Sequence, residues 1–150
     1  MAFKLTAPLV GLILLTGCGG PALDPRLAAG KELYEQSCAS CHLPGGEGKP
    51  GVGPSLQGTS WVQGSPERLV RISLYGVRGP IDVNGQQFNL EMPGVYYYQF
   101  DDRQMASVLS YIRYAWGNGA SPVSAELVAT IRAGTGERDS WTAEELAELQ

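Results

Sequence analysis

Residues 38 to 42 read Cys-Ala-Ser-Cys-His and hold two of the chain's three cysteines and its only histidine. At the end of a helix, two thiols three positions apart face one side. The imidazole that follows lies beside them. The stretch before this word, "PRLAAGKELYEQS", reads as a helix, with Asp24 as N-cap and Pro25 at its first position. Gly30 inside it weakens the helix by up to about 1 kcal/mol relative to Ala, and marks a close approach by another helix. The stretch after it, "HLPGGEGKPGVGPSLQG" at 42–58, is too rich in Gly and Pro to be regular. It reads as a loop that wraps around something.

The third cysteine has a different role. Met1 to Lys4 carries positive charge, and Leu5 to Leu15 is an apolar run. That run is too short to span a bilayer, which needs roughly 20 residues, and suits a signal-peptide core. It ends in Leu15-Thr16-Gly17-Cys18, which is similar to the bacterial lipobox. On this reading residues 1–17 are a lipoprotein signal peptide, Cys18 is the lipid attachment site, and 18–24 is a lipid-anchored linker. An ordinary secretory peptide cut nearby, or a retained anchor, is the alternative. With Cys18 acylated, Cys38 and Cys41 remain as a pair and nothing is left for a structural disulfide.

Three chemistries compete for the Cys-x-x-Cys-His word. Zinc would need four ligands, usually Cys or His, and only three such side chains remain, almost adjacent. A thioredoxin-like redox pair would need a βαβ setting, and the flanks are helical and Gly-rich. Covalent attachment of c-type haem fits the word and the export signal together. Cys38 and Cys41 then bind the two vinyl groups, and His42 lies under the iron as proximal ligand. One such word means one haem, and a single histidine rules out bis-histidine ligation within this chain. The remaining strong ligand type is a thioether. Past the signal peptide only Met92 and Met105 offer one. Met105 has a structural explanation in its helix, given below, whereas Met92 sits in an irregular "LEMPGV" stretch where it can point at iron. The bland alternative for Met92 is a gap-filling core residue.

The rest of the chain is helical with long connections. Ser65-Pro66 starts a helix over "ERLVRISLY", stopped by Gly76. Asn84-Gly85 within "IDVNGQQF" predicts a short hairpin. Asp101 caps the clearest helix, with Gln104 completing a capping box and Phe100 and Met105 placed as a hydrophobic staple. That helix runs to Gly117, with apolar positions 105, 108, 109, 112 and 116 at helical spacing. Two short helices follow, one near 125–133 and one starting at Thr142, boxed by Glu145. No central sheet is expected. Without residues 1–17 the chain keeps ten basic and fifteen acidic residues, a net charge of −5. Of this, −4 sits in 137–150 and only −1 in 18–136. No basic patch stands out, so nucleic-acid binding is disfavoured, and the body should steer charged partners weakly.

In order, "GKELYEQSCASCH", "GPSLQG", "EMPG" and "VLSYIRYAWGN" resemble the small class I, monohaem cytochromes c over residues 26 to 119. The resemblance implies an all-α fold, a small cytochrome c fold in which helices and Gly/Pro-rich loops wrap one covalently attached haem c. It implies a cytochrome c domain at 25–119 and leaves 120–150 as a C-terminal helical acidic extension. It also implies that the first and last core helices cross near Gly30 and the pair Tyr111 and Tyr114. The Pro54 carbonyl would accept the His42 Nδ1–H, and Met92 would be the distal ligand. The "YIRYAWGN" ending looks like cytochrome modules found beside quinoprotein dehydrogenases and copper oxidases. One departure is the long connection "PGVYYYQF". Tyr96, Tyr97 and Tyr98 cannot all bury on one side of an extended chain: either one or two fill the core and the rest lie on the surface, or an exposed one sits beside the haem edge as part of a docking patch.

The expected function is one-electron transfer without catalysis, by an exported protein lipid-anchored to a cell membrane with its haem domain on the periplasmic or extracytoplasmic side. The expected partners are the bilayer and a membrane-bound redox protein: a respiratory complex, dehydrogenase or oxidase. Two alternatives remain open. Without Met92 on iron, a five-coordinate haem would sense a gas or reduce peroxide, although no distal His or Arg can be placed for an enzyme. The acidic extension would otherwise serve a haem-bearing structural subunit as a partner-binding element, or be a solvated, loosely attached tail.

Overall fold

The computed structural model describes residues 25–94 and 99–149. The expected signal peptide, Cys18 with its linker, the Asp24 cap and Tyr96 to Tyr98 lie outside the described residues. Helix α1, Pro25–Ser37, begins with proline, whose missing N–H costs nothing in a first turn. The chain breaks at Cys38 and re-forms one helical turn, α2, Ala39–His42. A second one-turn helix, α3, Ser60–Gln63, is capped by Thr59. Helix α4, Pro66–Tyr75, starts where expected, with the Ser65 side chain accepting from the Arg68 amide.

Gly76 ends α4 and opens strand β1, Gly76–Arg78. Its φ of 86° lies in the left-handed region, and a Cβ there would collide with the Met92 carbonyl. Strands β2, Pro80–Val83, and β3, Gln86–Asn89, form the expected hairpin. Asn84 and Gly85 both have positive φ, as a type I′ turn requires. Strand β4 is only Met92–Pro93 and runs antiparallel to β1, with Met92 opposite Val77.

Helix α5, Asp102–Tyr114, carries the reciprocal capping box: the Gln104 amide donates to Asp101 Oδ1 at 2.8 Å, and the Asp101 amide donates to Gln104 Oε1 at 3.0 Å. Fully buried Met105 and half-buried Phe100 belong to one apolar cluster, as the staple predicts. Helices α1 and α5 cross at Gly30, where a Cβ would run into the Ser107 carbonyl and the Tyr111 Cβ. Tyr34 and Tyr111 meet there with ring centroids 5.6 Å apart. Tyr114 does not join them, correcting the expected pair: it is 54 % exposed. The buried positions 105, 108, 109, 111, 112 and 115 share one arc of α5, and 114 falls beyond its edge. Trp116 takes the place instead. A short 3-10 turn, with Trp116 at φ 54°, swings its ring edge-on to Tyr34 and Tyr111 at 5.1 and 5.5 Å.

Beyond Gly117 the chain stays packed, so 120–149 is not a loosely attached tail. Helix α6, Ala125–Thr135, lies against α4 and α5 and buries Val128 and Ile131. Arg132 Nε donates to Asp102 Oδ1 at 2.9 Å. Strand β5, Trp141–Thr142, pairs parallel with β1, giving a small sheet of order β4-β1-β5. Helix α7, Ala143–Ala147, is boxed by Thr142 and Glu145 as expected, and Leu146 is fully buried. These small sheets sit beside the helices, which make up the bulk of the fold.

Candidate haem-binding site

The short helix α2 fixes the Cys-x-x-Cys-His side chains. The amides of Cys41 and His42 both donate to the Cys38 carbonyl, at 3.1 and 3.0 Å. Leu43, at φ 63°, ends the turn, and its carbonyl accepts from the Tyr34 hydroxyl at 2.6 Å. Cys38, half-buried, and Cys41, exposed, are not joined by a disulfide, and both line one cavity with His42. His42 itself is 8 % exposed. Its Nδ1 lies 2.8 Å from the Pro54 carbonyl oxygen. A carbonyl only accepts, so Nδ1 carries the proton and Nε2 keeps its lone pair. Burial pushes the imidazole pKa below its ordinary value, outweighing the Pro54 contact, and this favours the neutral, ligating form.

The Gly/Pro-rich loop is held by its own hydrogen bonds. The Gly48 amide donates to the His42 carbonyl at 3.0 Å, and the Leu56 amide to the Gly46 carbonyl at 2.8 Å. Asn118 locks the loop to α5. Its Nδ2 donates to the Leu56 and Ile112 carbonyls at 3.0 and 2.8 Å, and its Oδ1 accepts from the Gly58 amide at 2.7 Å. Buried Arg113 fixes the next segment, donating from Nη1 to the carbonyls of Val62 and Gly64. Trp61, on α3, lines the cavity and donates from Nε1 to the Asp82 carbonyl at 2.7 Å, tying the hairpin to it. Sequence reasoning assigned no role to Asn118, Arg113 or Trp61. Thr59 ahead of "SWVQ" was the available cap signal, but four residues show no period.

The cavity encloses about 1170 Å³, part of it open to solvent, and its walls are overwhelmingly apolar. Cys38, Cys41, His42 and Pro54 border it on one side, Ile81, Val83 and Phe88 on the hairpin side. Met92 and Met105 both border it as well. The two differ in setting: Met105 is wholly enclosed in the main core, while Met92 is half-buried in the small sheet. An apolar slot with two thiols and one imidazole fits a flat apolar macrocycle that carries its own metal. It does not fit a metal ion held by side chains alone, since no cluster of three or more His, Cys, Asp or Glu occurs among the described residues.

The sequence profile described as "Cytochrome c" matches residues 27–116. The chain belongs to the cytochrome c family. As a monohaem cytochrome c it carries covalently bound haem c and works as an electron-transfer protein. It is 38 % identical over 124 residues to cytochrome c-552 of Thermus thermophilus, spanning 77 % of this chain and 80 % of that protein. It is also 37 % identical over 107 residues to the fructose dehydrogenase cytochrome subunit of Gluconobacter japonicus, covering 70 % of this chain and 22 % of that subunit. The gluconate 2-dehydrogenase cytochrome c subunit of Pantoea cypripedii is 35 % identical over 109 residues, covering 69 % of this cytochrome and 24 % of the subunit. No described helix of this cytochrome c is long and apolar enough to cross a membrane.

Proposed function

We propose that this cytochrome c is a membrane-tethered one-electron relay whose iron is held between His42 and Met92. The observation that carries the reading is one apolar cavity bordered by Cys38, Cys41, His42 and Met92. The haem supplies the ferric–ferrous couple when bound. Cys38 and Cys41 would each add an S–H across one vinyl group, forming a carbon–sulfur bond without net oxidation. The Pro54 carbonyl holds the proton on His42 Nδ1, which leaves the Nε2 lone pair to bind iron. Met92 would supply a sulfur that raises the potential relative to harder ligands. Met105 borders the same cavity, but its place in the α5 core as the staple residue already accounts for it. With His42 and Met92 both bound, the haem would offer no open site for a substrate, and the apolar walls of the cavity would keep water away.

The tether is read from the sequence. Acylated Cys18 would lie six residues before Asp24, about 20 Å at full stretch. Two acyl chains suffice for stable anchoring. A carrier on so short a leash serves a fixed neighbour. The relatives named as dehydrogenase cytochrome subunits support a membrane dehydrogenase or respiratory complex in that role, with the protein exported to the periplasmic or extracytoplasmic side.

An optical spectrum tests the ligation. The oxidised protein should show the weak far-red band of sulfur on ferric iron, and the reduced protein should bind carbon monoxide poorly. Rapid carbon monoxide binding with no far-red band would establish a five-coordinate haem and a sensor or peroxidase-like role. Fatty-acid labelling that survives Cys18→Ser would refute the tether.

A further inference from the structure

We propose that Trp141, in the C-terminal extension, is a positioning residue for Met92 and holds the distal side of the haem closed. This rests on Met92 being the iron's sulfur ligand. The family profile ends at residue 116, yet β5 from the extension completes the sheet that carries Met92. Val77 is the centre of that sheet, paired with Met92 on one side and Trp141 on the other. Directly paired residues place their side chains on one face. The packing agrees: Met92 and Trp141 both lie against the buried cluster of Ile72, Val77 and Leu146. Val77 and Met92 border the haem cavity, and Trp141 does not. Trp141 therefore packs on the same face of the sheet, on the far side of Val77 from Met92 and outside the cavity lining.

The β4 strand is two residues long, and its Pro93 and the preceding Glu91 are exposed. The extension grips it by two routes. One is the ladder through Val77. The other is the Ser140 hydroxyl, which donates to Glu91 Oε1 at 3.3 Å, beside Met92. Trp141 is itself clamped. The Arg138 guanidinium lies 3.3 Å from its ring centroid, and Arg138 Nη2 donates to both Glu145 oxygens at 3.0 and 3.1 Å. The indole Nε1 is buried without a partner, so the ring, rather than its N–H, carries the role.

Imidazole titration of the oxidised holoprotein reads this directly. Imidazole reaches iron only when Met92 has left, so its apparent affinity scales with the open fraction. Trp141→Ala should tighten imidazole binding about tenfold while haem stays attached, the coupling expected between residues in one packed network. Trp141→Phe, which keeps a ring, should stay within about twofold of the native value. Ser140→Ala, which risks no core packing, should tighten binding about twofold to threefold. Val128→Ala unsettles α6 away from the sheet; it should lower the melting temperature and leave imidazole affinity unchanged. Native affinity in both Trp141→Ala and Ser140→Ala would overturn the inference, as would an equal gain in Val128→Ala. Should the native protein lack the far-red sulfur band, or Met92→Ala leave it intact, the ligand assignment falls and the inference with it. A native band, lost in Met92→Ala, alongside unchanged imidazole binding in the Trp141 and Ser140 variants, overturns the inference alone.

Discussion

The two sides of the haem cavity are built by opposite means. On the His42 side everything is local. Five consecutive residues supply both thiols and the imidazole, one helical turn orients them, and Pro54 lies only twelve residues on. The turn rests against the α1–α5 crossing, which Tyr34, Tyr111 and Trp116 fill. On the Met92 side three strands of two or three residues come from positions 76, 92 and 141. A ligand tied by covalent bonds and a helix cannot wander. One carried by a two-residue strand is only as fixed as the strands beside it. On the proposed His42–Met92 ligation, ligand exchange should therefore start on the Met92 side.

Several variants would break or sharpen that contrast. The largest effect belongs to Cys38→Ser with Cys41→Ser. Mass spectrometry should find no covalent adduct. Circular dichroism should show a largely unfolded chain, because haem fills the cavity that the loops enclose. A folded, cooperative apo-chain would show that the His42 side stands without it. Met92→Ala comes next. The haem should remain attached, while the far-red band disappears and the potential falls by on the order of 100 mV. If that variant unfolds as completely as the double cysteine change, the two sides are not unequal.

Gly30→Val tests the crossing itself. Its side chain would meet the Ser107 carbonyl, and overpacking of this kind costs about 1–3 kcal/mol. Denaturant unfolding should register the loss while the far-red band is kept. Tyr34→Phe removes the hydroxyl bond to the Leu43 carbonyl, a loss of about 1 kcal/mol. Burial raises the Tyr34 pKa above the ordinary phenol value. The unfolded chain therefore releases this proton at lower pH than the folded one, so stability falls as pH rises past about 10. The Phe variant should lose that part of the alkaline decline in a pH series of melting curves. Tyr114→Ser should change stability by less than about 0.5 kcal/mol, as for an ordinary surface position.

The same contrast explains what could be read from the sequence. Caps at Ser65, Asp101 and Thr142 were legible because each is a hydrogen bond between residues three apart. The hairpin at Asn84-Gly85 was legible for a similar reason. The His42 side was spelled in one word. The Tyr114 expectation failed because nothing local announces the left-handed turn at Trp116. The sheet under Met92 was invisible, since strands of two residues show no alternation and Val77 meets Trp141 at a separation of 64 positions. Asn118 was visible only as part of a resemblance, and three of its hydrogen bonds join segments 55 to 62 residues apart while a fourth reaches the Ile112 carbonyl of α5.

The central claim is that the iron sits between the His42 nitrogen and the Met92 sulfur. Iron-edge X-ray absorption on the frozen oxidised holoprotein tests it most directly. The account predicts one sulfur scatterer beside the nitrogen shell, lost in Met92→Ala and kept in Met105→Leu. A nitrogen-only shell in the native protein, or a sulfur that survives Met92→Ala, would contradict it.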